Sequence, residues 1–425
     1  MLRRRPHVGP GGIRRVPGLV SLANRLLRPL GFELTRLRKE EMHPVASLAP
    51  DGKPVGRVLL SYVVEPFLVP AEAAISRDHT HDWESWRMAQ SFLTRGFAVD
   101  VVSFKDSAWK PEREYDVLVA ARQQLERLAS HLPPRCLKVA HLDTAHWLTN
   151  NSGLYARLND ARERRGAALH GRRMVEANWA TEAADIGCVL GNDFTADSYG
   201  YAGKPIHRLP ISTTATFDWP EGRDLASARF RYIWFGSDGF VLKGLDRVLE
   251  AFQRLPEPFL LRVCAPLEAE RRFVEAYRRE LYHCPRVEPV GWVDVGDQRL
   301  RDFFRDSLGA IYPSASEGGG GSAITCMHGG LIPILTREAS VDMPGFGVQL
   351  GHGTVDEIVA AVQSLAARPA ADLEADARRA WEHARRVHTR ESFGAAYDRF
   401  VDDVVIPEVE RRRQELGFPG APNRA

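Results

Sequence analysis

What this sequence lacks narrows its class before any motif is considered. Its five cysteines (Cys136, Cys188, Cys264, Cys284 and Cys326) are scattered, odd in number and form no CxxC pair. That excludes a disulfide framework and a zinc ribbon, and it fits free thiols in a reducing compartment. No apolar run approaches the roughly 18 residues that a membrane span needs, and Arg14, Arg15, Arg25 and Arg28 interrupt any signal-peptide core. A cytoplasmic protein is expected. No GxGxxG follows a first strand, no GxxxxGK[ST] or GxSxG occurs, and there is no DxD to hold a metal-bound diphosphate. These absences disfavour dinucleotide-dependent oxidoreductases, P-loop enzymes and serine hydrolases. Charge of one sign is also scarce, with 57 basic against 55 acidic side chains. The +2 balance is uneven, because residues 1–40 carry ten Lys/Arg against Glu33 and Glu40, a local +8 that leaves −6 for the rest. A mildly acidic body is not that of a nucleic-acid binder.

What is present is ordinary globular material, 44% hydrophobic and 26% charged over 425 residues, enough for two or three domains. Residues 1–50 read as a separate basic extension. Leu19, Leu22, Ala23, Leu26 and Leu27 recur at helical spacing until Pro29, beside Arg25 and Arg28. Such an element suits an anionic membrane surface through residues 1–40; the competing reading is an arm that packs on the body or stays disordered.

From residue 51 strands and helices alternate. Val58–Val64, Phe97–Phe104, Tyr115–Ala120, Leu137–Leu142 and Ile186–Leu190 read as buried strands, and Asp82–Arg95 and the arginine-rich Leu154–Ala183 as helices. The pattern breaks in a polar linker, 212–228, which separates a first domain, 51–211, from a second, 229–370. There the strands Tyr232–Gly236, Phe259–Ala265, Arg286–Trp292, Leu308–Pro313 and Leu331–Thr336 alternate with helices at Leu245–Leu255, Leu267–Tyr282 and Gln298–Asp306. Residues 371–425 form a helical tail. The expected class is α/β, with two Rossmann-like doubly wound domains facing each other across a cleft.

Two stretches carry chemistry. In IYPSASEGGGGSAITCMHGG, residues 311–330, a buried strand runs into four glycines and a helix starting near Ser322. Backbone amides at a helix N-terminus suit an anion, and Glu317 at the loop's mouth suits sugar hydroxyls rather than phosphate. The alternative is a flexible loop with a solvated glutamate. In YIWFGSDGFVLKGLDRVLEAF, residues 232–252, a strand ends at Gly236 and Lys243 stands just before a helix, placed to neutralise a diphosphate. KVAHLDTAHW puts His141, Asp143 and His146 after a strand, facing the cleft if the sheet is doubly wound. HTHDWE (His79, His81, Asp82, Glu84) offers metal-ligand types, but the favoured reading is a helix cap by Thr80 or Asp82.

KGLDRVLEAF followed about 70 residues later by PSASEGGGGSAITCMHGGLIPI resembles the nucleotide-sugar half of family 4 (group 1) retaining glycosyltransferases of the GT-B fold. The resemblance is specific over residues 230–340, weaker over 55–210, and does not cover 1–50. It implies metal-independent transfer, with retention, from a nucleotide sugar to an acceptor, and no cofactor. It implies that Lys243 contacts the donor diphosphate, that Gly236, Gly318, Gly319, Gly320, Gly321 and Ser322 approach donor phosphate and sugar, and that Glu317 contacts the transferred sugar. A histidine touching that sugar falls at His146, with His141 as the alternate. Two positions depart from the pattern: Thr325 stands where a ribose-binding glutamate is expected, and the arginine usual between the strand glycine and the lysine is replaced near Ser237. They favour the rival reading, a non-catalytic GT-B scaffold for another transferase. The basic head points to an acceptor that is a lipid-linked glycan or polysaccharide precursor, met at the inner face of a membrane. The nucleotide base remains open among uridine, guanosine and adenosine.

Overall fold

The apolar runs of the first half assemble into one sheet and those of the second half into another. The computed structural model describes residues 45–415, apart from 71, 73, 74, 77 and 78; the basic head up to residue 44 lies outside the described residues. The first sheet comprises β1 (Ala46–Leu48), β2 (Gly56–Tyr62), β3 (Phe97–Ser103), β4 (Val117–Ala120), β5 (Leu137–Leu142), β6 (Ile186–Leu190) and β7 (Ile206–Leu209), in the order β1-β3-β2-β4-β5-β6-β7. All pairings are parallel except β1 with β3. The second sheet comprises β8 (Arg231–Phe235), β9 (Leu260–Cys264), β10 (Val287–Pro289), β11 (Gly309–Tyr312), β12 (Ile332–Thr336) and β13 (Val348–Leu350), in the order β10-β9-β8-β11-β12-β13, all parallel. Strands such as Phe97–Ser103 are buried at every position because helices cover both faces, which is why their sequences run apolar instead of alternating.

Several expectations shift. Ala46–Leu48, inside the stretch read as extension, is an edge strand held by Ser47 Oγ donating to Asp100 Oδ1 at 2.6 Å. The strand expected over Arg286–Trp292 shrinks to three residues, since Pro289 has no amide to donate and Gly291 turns at φ 84°. The helix expected over Leu154–Ala183 instead spans Trp147–Arg165 and stops where Gly166 adopts φ 65°. The edge strands β7 and β13 have no apolar run to announce them.

The Trp147–Arg165 helix explains its own arginines. Arg165 holds Glu280 with two 2.9 Å bonds, Arg164 Nη2 meets the fully buried Asp246 at 2.6 Å and also pairs with Glu250, and Arg247 returns to Asp160 at 2.7 Å. Arg157, itself buried, donates to the Pro313 carbonyl at 2.8 Å. The arginines of this helix thus form a seam between the two halves. A second tie is helical. Ala370–Val387 packs on the second half, and Arg390–Phe400 crosses to the Thr80–Leu93 helix of the first, where Asp398 accepts from Ser91 Oγ at 2.7 Å and pairs with Arg87 and Arg95.

Candidate active site in the cleft

The carboxyl ends of the two sheets face one cavity of about 640 Å³. In doubly wound sheets ligands bind outside those ends, where the strand order reverses. In the second sheet the reversal lies between β8 and β11, and the loops leaving both line the cavity. Gly236, Ser237 and Lys243 come from one, and Ser316, Glu317, Gly318, Gly320, Gly321 and Ser322 from the other. In the first sheet it lies between β2 and β4. Arg122 follows β4, Asp143 and Thr144 follow β5, and His79 and His81 enter from the start of the Thr80–Leu93 helix.

Lys243 is only 6% exposed, and its Nζ donates to Ser237 Oγ at 2.9 Å. Burial lowers its pKa from the ordinary lysine value; the Glu317 charge opposes that shift and Arg173 adds to it. A buried ammonium held by one neutral hydroxyl is costly unless an anion joins it. Glu317 Oε1 accepts from Tyr312 Oη at 3.0 Å and Ser314 Oγ at 3.4 Å, while its carbonyl accepts from Thr195 Oγ1 of the first half at 3.2 Å. The carboxylate is thus held from behind.

The glycines divide their work. A Cβ on Gly318 would lie 2.1 Å from the Asp143 carbonyl oxygen, so this glycine lets the halves meet. Gly319 and Gly320 adopt φ 120° and 57°, and a Cβ on Gly320 would strike the Ala339 carbonyl at 2.4 Å. Gly319 itself packs beside Ile211 instead of lining the cavity. Gly320 caps the helix Gly321–His328 without a side chain, so that helix's first amides open toward the cavity. Thr325 also lines the cavity, with its Oγ1 donating to the Gly321 carbonyl at 2.9 Å.

On the opposite wall Arg122 grips Asp143 with two 3.1 Å bonds. Burial works against the Asp143 charge, but Arg122, His81 and His141 outweigh it and hold the carboxyl below its usual range. His79 and His81 stand edge to face at 4.1 Å. Burial lowers both ring pKa values, with Arg173 adding to the effect at His79 and His79 adding to it at His81. His79 keeps exposed surface, but that surface faces the cleft interior, so the lowering follows from enclosure. Both rings are neutral near pH 7; His79 Nδ1 accepts from a backbone amide, which leaves its Nε2–H as a donor, and His81 has one donor and one acceptor nitrogen, a set that suits hydroxyl groups.

No family model matches the sequence, and no curated protein matches it. Solved structures do resemble it. Sucrose-phosphate synthase from Thermosynechococcus elongatus aligns over 84% of this chain and 100% of its own, with TM-score 0.52 and 15% identity. Anabaena HepE, in complex with UDP and glucose, aligns over 83% and 100%, with TM-score 0.51 and 12% identity. The α,α-trehalose 6-phosphate synthase of Burkholderia multivorans aligns over 83% and 80%, also with TM-score 0.51 and 12% identity. The fold is GT-B.

Within this GT-B cleft the structure gathers Gly236, Lys243, Glu317, Gly318, Gly320, Gly321, Ser322 and Thr325 around one cavity, but it leaves out both histidines expected there. His141 is 1% exposed, edge-on to Tyr62 at 4.6 Å with Nδ1 3.5 Å from Cys188 Sγ, and burial pushes its pKa down to about 4. His146 caps the Trp147–Arg165 helix through Nδ1, which accepts from the Leu148 amide at 3.4 Å, and its Nε2 lies 3.2 Å from Tyr201 Oη. The histidines on the wall are those of HTHDWE. There the helix does begin, but its cap is His79, whose Nδ1 accepts from the His81 amide at 3.2 Å, and neither Thr80 nor Asp82. No cluster of three metal-ligating side chains occurs among the described residues.

Arg122 and Arg173 were not anticipated. Both have positive φ, 52° and 64°, and both line the cavity. The third non-glycine residue of this kind among the described residues, Ser340, lies in the contact between the halves, where Asn192 N donates to its Oγ at 3.1 Å. Such conformations cost about 1–3 kcal/mol each and persist where the surroundings over-determine them.

Proposed function

We propose that this chain is a glycosyltransferase that moves a sugar, with retention, from a nucleotide sugar to an acceptor bound by the first half. The observation that carries the reading is the buried, anion-seeking Lys243 beside Glu317 at the reversal point of the second sheet. It is supported by the sequence resemblance and by a GT-B neighbour whose structure contains UDP and glucose. As the glycosidic bond breaks, charge grows on the leaving diphosphate, and Lys243 with the amides at Gly320–Ser322 stabilises it where it develops. That positive charge comes from side chain and backbone, so the transfer is proposed to need neither metal nor cofactor. Glu317, fixed by Tyr312 and Ser314, orients the sugar hydroxyls. The packed seam between the halves excludes water and limits donor hydrolysis. The basic head supports an acceptor on a lipid carrier at the inner face of a membrane; among the described residues no helix is long and apolar enough to cross one.

The test is turnover of UDP-, GDP- and ADP-sugars by wild type and by Glu317→Ala. One donor is expected to be consumed by wild type and at least about a hundredfold more slowly by the variant. Thr325, which offers no carboxylate to a ribose, keeps the scaffold reading in contention, and a wild type inert toward every donor would favour it.

A further inference from the structure

The loop that follows the Trp147–Arg165 helix carries Arg173 out of the first half and into the second. Two helix side chains fix its course. Asn150 Nδ2 donates to the Arg173 carbonyl at 2.9 Å, and Asn151 holds both the carbonyl and the amide of Val175, at 2.8 and 3.0 Å. The Arg173 stem lies against Gly239, where a Cβ would sit only 2.8 Å from Arg173 Cγ. Its guanidinium then reaches Ser237 Oγ at 2.9 Å and Asp238 Oδ1 at 2.8 Å. Ser237 Oγ is the same hydroxyl that Lys243 Nζ approaches at 2.9 Å. Two cations from opposite halves therefore converge on one neutral atom, with a single carboxylate, Asp238, beside the outer one.

We propose that Arg173 and Lys243 together form a diphosphate clamp across the cleft, with Arg173 supplying from the first half the guanidinium that the second half lacks at Ser237. The inference rests on the donor-site reading above. It assigns to Arg173 direct contact with the diphosphate, and it makes phosphate binding depend on the halves being together. Like charges this close repel, Asp238 and Glu317 offset part of that repulsion, and a bridging diphosphate would turn the rest into attraction. The guanidinium fork suits two phosphate oxygens at once, whereas the lysine acts as a point charge. Its half-exposed side chain, 47% accessible, leaves room for that anion. The inward-facing His79 senses both cations, with Asp143 opposing them.

Calorimetric titration of the full chain with sodium pyrophosphate tests the clamp, because pyrophosphate brings the charge without base or sugar. Wild type is expected to bind it, Arg173→Ala at least about tenfold more weakly, and Arg173→Lys in between. The salt dependence of affinity should also become shallower in Arg173→Ala, which a purely structural role for the side chain would not produce. Should Arg173→Ala fail to fold, the loss in Arg173→Lys, at least about threefold, decides the matter. Equal pyrophosphate affinity in wild type and variants, or no binding by wild type, overturns the proposal. A weakened Arg173→Ala alongside a wild type that consumes no nucleotide sugar would keep the clamp and overturn the transferase reading. Normal sugar turnover with unchanged pyrophosphate affinity in Arg173→Ala would do the reverse.

Discussion

Replacing Lys243 by alanine is expected to lower donor turnover by about 10²–10³-fold while leaving the empty protein as stable as wild type, or slightly more so. The two halves of that expectation have one cause. The ammonium is 6% exposed and its hydrogen bond in the empty site is to a serine hydroxyl, so the cost of burying it outweighs what the nearby Glu317, Asp238 and Glu270 charges return, as its lowered pKa shows. The same group becomes valuable when a diphosphate arrives and its charge increases during bond breaking. A residue that mattered for folding alone would show the opposite pattern, a lower melting temperature with proportionate loss of activity. The lowered pKa adds a pH signature. Donor binding needs the protonated amine, so activity should fall as pH rises through a value below that of an ordinary lysine. Steady-state kinetics and thermal unfolding of Lys243→Ala check both halves.

Gly318→Ala is expected to be nearly as damaging by a different route. The added methyl would lie 2.1 Å from the Asp143 carbonyl oxygen and 2.6 Å from Thr144 Cα, both backbone atoms that no rotamer change can move. The glycine loop and the β5 loop must then separate. A displacement of about 1 Å at a reacting centre costs on the order of a hundredfold in rate. Overpacking adds about 1–3 kcal/mol of destabilisation. Gly200→Ala, where nothing lies within 4 Å, is the matched control and should be silent in both assays. Equal kinetics for the two variants would show that contact between Gly318 and the β5 loop is irrelevant to turnover.

Both halves of the fold were legible because parallel strands buried on two faces write themselves as apolar runs; Leu137–Leu142 and Ile186–Leu190 appear where the pattern puts them, and so does the helix Gln298–Asp306. The edge strands at Ala46–Leu48, Ile206–Leu209 and Val348–Leu350 were not, since an edge needs no continuous apolar run. Lys243 and Glu317 were legible as local motifs beside a strand end. The first-half wall was harder. His79 and His81 reach the cleft through the first turn of a helix, and the sequence shows only their capping pattern. His141 lies within β5 and His146 follows it, yet one turns into the core and the other onto its own helix. Arg173 lies in a loop with no periodicity, and its role exists only because Asn150 and Asn151 aim that loop at Ser237. Sequence spacing shows which residues a strand end offers, whereas loop anchoring settles which of them enter the cavity.

The central claim is that the cleft binds a nucleoside diphosphate through Lys243. Thermal unfolding with UDP, GDP and ADP, for wild type and Lys243→Ala, tests it most directly. One diphosphate at about 100 times its Kd should stabilise the wild type by roughly 2.7 kcal/mol, and the variant by far less. Stabilisation by none of the three, or the same shift in Lys243→Ala, would contradict it.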